Sequence, residues 1–134
     1  LHINILKKYA IHTSTTLKQS PFCFMYTNYL LRMASTATVE EAVASLLPCF
    51  WIYQQVGQRA YAKKTSHNPY QEWIDLYSSH EFNHSVDLMI ATLNDLATQA
   101  SIYCKQKMVY AFRQASLCEW HFWQGAYSQQ NWPI

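Results

Sequence analysis

Glycine is nearly absent from this sequence, with two residues among 134. Hairpins and strand-rich folds need more, because their tight turns use backbone conformations with positive φ. Charged residues make up 13% of the chain, against about 25% in an average soluble domain. Long apolar runs are also missing: the longest, residues 42–53, contains Ser45 and Pro48 and is shorter than the ~18–20 residues that span a membrane. These shortages favour an all-α protein with no membrane partner.

The charge balance argues against nucleic acid as a partner. The net charge is +2, and the basic residues are scattered, whereas nucleic-acid sites concentrate Lys and Arg on one face. Half of the residues are hydrophobic, so the excess apolar surface must lie in a large core, against another subunit or against further chain. Since Leu1 rather than Met comes first, we interpret residues 1–134 as a single α-helical domain and the C-terminal part of a longer chain.

The four cysteines, Cys23, Cys49, Cys104 and Cys118, show no paired spacing. Disulfides remain an alternative, but the sequence has no recognisable secretory signal. We therefore expect free thiols in a reducing, cytoplasmic environment.

Capping signals divide the chain into helices. Thr38 begins a long helix that runs toward Lys64 and contains Pro48, while Asn68 and Pro69 are expected to begin a helix that ends near Tyr77. The other helices are predicted over residues 1–10, 22–34, 80–99 and 101–127. Ser78 is the predicted cap of the helix over residues 80–99. Residues 11–21 and 65–68 are predicted connections. The pattern predicts a multi-helix bundle with short connections.

One thiol and one carboxylate lie in aromatic surroundings. Cys49 and Tyr53 are four residues apart, and so are Glu119 and Trp123, so each pair shares a helix face. If both faces line one cavity, it suits a planar heteroaromatic ligand. The alternative readings are structural, because free cysteine is usually inert core and an isolated helical Glu usually faces solvent.

A zinc hydrolase is a further alternative. Residues 80–84, His-Glu-Phe-Asn-His, match the zinc-protease pattern H-E-x-x-H. The match lies at a predicted helix start, where Glu81 has a capping role, and no third ligand is well placed. We therefore predict no metal site.

Three stretches resemble the TenA family, also called thiaminase II or aminopyrimidine aminohydrolase. They cover most of the chain in a family-like order, from about Tyr26 to Trp132, and the leucine-leucine-proline-cysteine block is the most specific. They are Leu-Leu-Pro-Cys-Phe-Trp-Ile-Tyr at 46–53, His-Asn-Pro-Tyr-Gln-Glu-Trp-Ile-Asp-Leu-Tyr at 67–77 and Glu-Trp-His-Phe-Trp at 119–123.

The resemblance implies an all-α, haem-oxygenase-like multi-helix bundle, here incomplete and lacking the first helices. It implies no cofactor, a homo-oligomer, commonly a tetramer, and hydrolysis of 4-amino-5-aminomethyl-2-methylpyrimidine in thiamin salvage, with thiamin itself a substrate of many members. Cys49 falls on the family's nucleophile and Glu119 on its acid/base. Tyr26, Tyr53 and Tyr77 fall on residues that bind the pyrimidine, and Phe122 adds a ring wall.

One departure from the family keeps a second hypothesis open. The family binds the pyrimidine amino group with an aspartate on an earlier helix, and Asp75, Asp87 and Asp95 all come too late in this chain to be that residue. The alternative to an enzyme is therefore a non-catalytic bundle that binds a pyrimidine or a partner subunit.

Overall fold

A computed structural model describes residues 2–11, 18–63 and 67–133, and the described residues form helices and no strands. The helices are α1 (His2–Lys8), α2 (Pro21–Thr36), α3 (Val39–Ala62), α4 (Gln71–Ser78), α5 (His80–Gln99) and α6 (Ile102–Tyr127). The predicted all-α bundle is confirmed. The predicted connection over residues 11–21 and the break at residues 65–68 lie partly outside the described residues.

Side-chain caps account for where four helices begin. In each, a hydroxyl oxygen accepts a hydrogen bond from the backbone N–H three residues later, which satisfies one of the free donors at a helix start. The caps are Ser20 for α2, Thr38 for α3, Ser79 for α5 and Ser101 for α6. The starts predicted at Thr38 and Ser101 are therefore confirmed.

Two predicted caps were wrong. The side chain of Asn68 accepts a hydrogen bond from the backbone N–H of Tyr70 at 2.9 Å, which makes residues 68–70 a turn. Consequently α4 begins at Gln71 rather than Pro69. The cap of α5 is Ser79 rather than Ser78, whose hydroxyl instead donates to the carbonyl of Ile74. Both errors arise because adjacent polar residues offer competing local hydrogen bonds.

Helix α3 is the central element, since it packs against α2, α4, α5 and α6. Ala44 of α3 lies in a buried cluster with Met33 of α2 and with Met108 and Ala111 of α6. Small residues at these contacts let the helices approach closely. Pro48 is fully buried inside α3 and directly precedes Cys49 in the sequence.

Gly57 brings α4 close to α3. A Cβ atom at residue 57 would lie 2.7 Å from the backbone carbonyl carbon of Tyr77, closer than van der Waals contact allows. Gly125 is also crowded, but there the nearest atom, at 2.6 Å, belongs to the ring of Phe22. A ring can rotate away, whereas the backbone of α4 must move as a unit.

We expect Gly57→Ala to destabilise the protein, because overpacking usually costs about 1–3 kcal/mol. This cost should exceed the ~1 kcal/mol that alanine gains over glycine in a helix. Gly125→Ala is the matched control, and its loss should be clearly smaller. Urea denaturation measures both, and a Gly57→Ala protein as stable as the control would contradict the close α3–α4 packing.

Candidate active site

Five helices line an open cavity of about 640 Å³. It lies where α2, α3 and α6 meet and is bordered by the ends of α4 and α5. Its walls are mainly aromatic and aliphatic, with few polar groups, which is typical of small-molecule sites. The lining residues are Cys23, Tyr26, Thr27, Leu30, Cys49, Phe50, Tyr53, Trp73, Tyr77, Phe82, Glu119, Phe122, Trp123 and Ala126.

All six side chains singled out from the sequence line this one cavity. Helix α2 contributes Tyr26, α3 contributes Cys49 and Tyr53, α4 contributes Tyr77, and α6 contributes Glu119 and Phe122. The four-residue spacing on α3 and the spacing on α6 turn these side chains to the same side of their helices. The structure therefore brings the thiol and the carboxylate into a common cavity, which is the condition that the sequence left open.

Other lining residues were not among the predicted site residues. Trp73 and Phe82 join a connected group of rings around Tyr77, whose ring centre lies 4.6 Å from that of Trp73 and 4.9 Å from that of Phe82. Tyr53 lies in the same group, 5.0 Å from Tyr77 and 5.3 Å from Trp123. The spacing of Trp73 and Tyr77, four residues apart on α4, was the available signal for Trp73. Phe82 had no such signal.

Glu119 is the most buried acidic residue of the site, with 2% of its surface exposed. Burial raises the pKa of its carboxyl above the ordinary value, while the neighbouring Tyr26 and Trp123 act in the opposite direction. Tyr26 is close enough to influence the carboxyl, yet neither Glu119 Oε2 nor the Tyr26 hydroxyl has a hydrogen-bond partner of good geometry. Two buried polar atoms are thus available to a ligand. Hydrogen bonds from the ligand would remove the free-energy cost of leaving these atoms unsatisfied.

Cys49 is held as a neutral thiol. Burial, and secondarily the charge of Glu119, raises its pKa to about 11, and its Sγ lies 3.1 Å from the carbonyl oxygen of Leu46, to which the thiol donates. Burial and Glu119 also raise the pKa of the Tyr26 and Tyr53 hydroxyls. These tyrosines therefore stay protonated and can donate hydrogen bonds to a thiolate or a ligand.

The Glu119 carboxyl predicts a definite pH dependence of stability. Because its pKa is raised in the folded protein, its contribution is full below pH 4.5, the ordinary value, and is lost as pH rises through the folded pKa. We expect the melting temperature of Glu119→Gln relative to the unmodified protein to be higher in mildly alkaline buffer than in acid. Thermal unfolding at several pH values measures this difference.

Glu40→Gln is the control for this prediction. The pKa of Glu40 is lowered, first by a backbone hydrogen bond, so its contribution is present above the ordinary pKa and lost in acid. A Glu119→Gln difference that stays constant with pH would show that folding does not raise the pKa of this carboxyl.

The zinc-protease pattern does not form a metal centre within the described part of the chain. His80, Glu81 and His84 are exposed on the first turns of α5, and the two imidazole centres are 6.3 Å apart. No group of three His, Cys, Asp or Glu side chains with the geometry to hold a metal ion occurs among residues 2–11, 18–63 and 67–133. Nor is any helix of these residues both long and apolar enough to span a bilayer.

The fold and the cavity define a helical bundle with a half-buried thiol and a buried carboxylate in one aromatic pocket. The sequence matches the TENA/THI-4/PQQC family over residues 1–129, and the chain belongs to that family. It is 32% identical over 115 residues to the aminopyrimidine aminohydrolase of Bacillus subtilis, covering 86% of this chain and 49% of that protein. With the aminopyrimidine aminohydrolase of Halalkalibacterium halodurans the identity is 34% over 109 residues, which is 80% of this chain and 49% of that protein.

A solved structure confirms the fold. The chain superposes on a TenA homologue from Pyrococcus furiosus with a TM-score of 0.84 and 26% identity, over 91% of this chain and 58% of that one. The chain thus has the helical haem-oxygenase-like fold, as expected from the sequence. It spans about half the length of the curated relatives it matches.

Proposed function

We propose that this chain carries the reactive groups of a thiamin-salvage hydrolase. The reaction is deamination of 4-amino-5-aminomethyl-2-methylpyrimidine to the hydroxymethylpyrimidine, and thiamin is a second substrate cleaved at the same methylene. The placement of Cys49 and Glu119 in one aromatic cavity carries the proposal. The names of the two aminopyrimidine aminohydrolase relatives support the reaction class.

The first step is addition of the Cys49 sulfur to the pyrimidine ring. A thiol with a pKa near 11 must lose its proton to attack, and the ionised carboxylate of Glu119 can accept it. One proton transfer then produces both the thiolate and the carboxylic acid that the next step needs. The hydroxyls of Tyr26 and Tyr53 stabilise the thiolate, which burial alone would disfavour.

After sulfur addition the ring is no longer aromatic and is rich in electrons, and this drives departure of the amine. The electron pair that the ring gains from sulfur expels the amino group from the methylene, and the Glu119 carboxylic acid gives it a proton, so ammonia leaves. The ionised Glu119 then takes a proton from water as the water oxygen bonds to the methylene. Expulsion of the Cys49 thiolate restores the aromatic ring, and the product is the alcohol.

The aromatic walls hold the substrate while this happens. A flat heterocycle can stack on the rings of Tyr53, Tyr77 and Phe122. Stacking uses the face of the heterocycle and leaves its polar edge free for specific hydrogen bonds. Cavities of about 300–1,000 Å³ suit ligands of this kind, and the observed volume of about 640 Å³ lies in that range.

The test is an ammonia-release assay on the full-length protein. The aminopyrimidine is the substrate, and the hydroxymethyl product is identified by mass spectrometry, with thiamin assayed in parallel. Ammonia and the alcohol formed in equal amounts support the proposal. Absence of both, from a folded protein, would overturn it.

Binding without turnover is the second candidate function. Glu119 is the only carboxylate among the described residues that line the cavity, so none of these residues offers a second carboxylate to the amino edge of a pyrimidine. Quenching of tryptophan fluorescence measures binding, because Trp73 and Trp123 line the cavity. Saturable quenching by the aminopyrimidine, together with no ammonia release by the full-length protein, would favour this candidate.

A further inference from the structure

The chain that follows α6 leaves the helix through a strained turn. Gln129 has a φ of 51°, in the left-handed region that glycine adopts freely and other residues avoid. The N–H of Gln130 donates to the carbonyl of Gly125 at 2.9 Å. The N–H of Gln129 donates to the carbonyl of Ala126 at 3.3 Å, which completes a Schellman motif. A residue other than glycine keeps this conformation where the surrounding contacts compensate for the strain.

Trp132 makes contacts of this kind with the start of α2. Its indole N–H donates to the backbone carbonyl of Gln19 at 2.9 Å. Its ring meets the ring of Phe24 edge-on, with the ring centres 5.9 Å apart. Because Gln19 directly precedes Ser20, the cap of α2, the indole holds the chain at the point where α2 begins.

Phe22 joins the same two helix ends from the other side. Its ring stacks on the ring of His121 with the centres 4.8 Å apart. It also lies against Gly125, where a Cβ atom would be 2.6 Å from a ring carbon of Phe22. The contacts of Trp132 and Phe22 together, which we call the α2–α6 clasp, connect the first turn of α2 to the last turns of α6.

The α2–α6 clasp lies beside the cavity. Tyr26 follows Phe22 by four residues, about 6 Å along α2, and Glu119 precedes Gly125 by six residues, about 9 Å along α6. Tyr26 and Glu119 both line the cavity, whereas Trp132 is not among the described residues that line it. Any effect of Trp132 on the cavity must therefore act through the helices that the clasp connects.

We propose that Trp132 is a positioning residue, which holds the first turns of α2 against α6 and so fixes the Tyr26 hydroxyl at the Glu119 carboxyl. The proposal rests on the proposed function, in which Glu119 transfers protons. Neither the Tyr26 hydroxyl nor Glu119 Oε2 has a hydrogen bond of good geometry to a described residue. Since no such bond fixes the Tyr26 side chain, its position follows the backbone of α2.

The second half of α2 is held by other contacts. The hydroxyl of Tyr29 donates to the backbone carbonyl of Ala111 at 3.2 Å, and Met33 lies in the buried cluster with Ala44 and Met108. Loss of the α2–α6 clasp should therefore release the first turns of α2 and leave the helix and the core in place.

An infrared titration of the full-length protein tests the proposal without relying on turnover. The carbonyl stretch of the protonated Glu119 carboxyl is identified by its loss in Glu119→Gln and is followed against pH. The Tyr26 hydroxyl lowers the pKa of this carboxyl, so Tyr26→Phe should move the titration to higher pH. Trp132→Ala should move it in the same direction. Added to Tyr26→Phe, Trp132→Ala should move it no further, because both changes remove one interaction.

Turnover gives a second measurement. A displacement of about 1 Å can cost ~100-fold in rate, so we expect Trp132→Ala to lower kcat by about 10- to 100-fold with little change in KM. The effect should vanish when Tyr26 is already Phe. If the unmodified protein releases no ammonia, the proposed reaction is wrong, and the infrared titration still decides the role of Trp132.

Trp51→Ala is the matched control. Trp51 is 40% exposed, against 43% for Trp132, packs on Phe112 and is not among the described residues that line the cavity. It should leave the titration of Glu119 unchanged. Gln129→Gly, which suits a left-handed turn, should also leave it unchanged.

Trp132→Phe decides the question if Trp132→Ala does not fold. Phenylalanine keeps a ring against Phe24 but has no N–H for the carbonyl of Gln19, so the titration should move to higher pH by a smaller amount. Three outcomes in the folded variant would overturn the proposal. They are an unchanged titration, a shift to lower pH, which indicates that water has entered the site, and a shift that adds in full to that of Tyr26→Phe.

Discussion

Cys49→Ala is expected to abolish ammonia release by the full-length protein. Loss of a covalent nucleophile lowers turnover by roughly 10⁴-fold or more in well-studied hydrolases, and no other group at this position can add to the ring. The alanine side chain is smaller and leaves the tyrosines in place, so binding of the pyrimidine should be largely retained. Steady-state assays should therefore show a collapse of kcat with little change in KM.

Cys104→Ala is the matched control, because Cys104 is a free thiol that packs near the core cluster and does not line the cavity. Its turnover should stay near that of the unmodified protein. If Cys49→Ala keeps full turnover, the covalent mechanism is wrong. The aromatic cavity and the family membership would be unaffected by that result.

Glu119→Gln is expected to lower kcat by about 10²- to 10⁴-fold, the usual contribution of a general acid or base. Glutamine preserves the shape of the side chain but can neither give the amine a proton nor take one from water. The loss should vary with pH, since in the proposed mechanism the unmodified protein uses a carboxyl whose pKa burial has raised. The acidic limb of the pH–rate profile should disappear in the variant.

Glu119→Gln also tests how the carboxylate affects the acidity of the Cys49 thiol. Glu119 is the second cause, after burial, of the raised pKa of Cys49, so removing the charge should make the thiol more acidic. Alkylation of Cys49 in Glu119→Gln, followed by mass spectrometry, should be faster below pH 11. Glu81→Gln, a change at an exposed position, should alter neither the turnover nor the alkylation. Full activity of Glu119→Gln would exclude a proton-transfer role.

The sequence contained most of the fold because its helix signals are local. Thr38 and Ser101 are clear caps, and α3 and α6 begin beside them. Prediction failed at Asn68 and Ser78, because the side chain of each makes a different local hydrogen bond from the cap that was expected, to the Tyr70 N–H and to the Ile74 carbonyl. A capping pattern does not show which of these competing hydrogen bonds forms.

In the candidate site, too, some features were predictable from local sequence and others were not. Cys49 and Tyr53 share a face by spacing alone, so their common orientation was predictable. The approach of Phe82 to Tyr77 joins two helices across the short bend at Ser79, and no periodicity reports the angle of that bend. The upward shift of the Cys49 pKa likewise depends on burial, which only the assembled bundle determines.

Gly57 ties the width of the cavity to the spacing between two helices. The backbone of Tyr77 rests directly on residue 57, and the ring of Tyr77 forms part of the cavity wall. The gap between α3 and α4 therefore sets how far the Tyr77 wall of the cavity lies from the α3 wall. A protein engineer who wished to admit a bulkier heterocycle would have to move a whole helix, whereas trimming a ring on α6 would enlarge the cavity without disturbing that spacing.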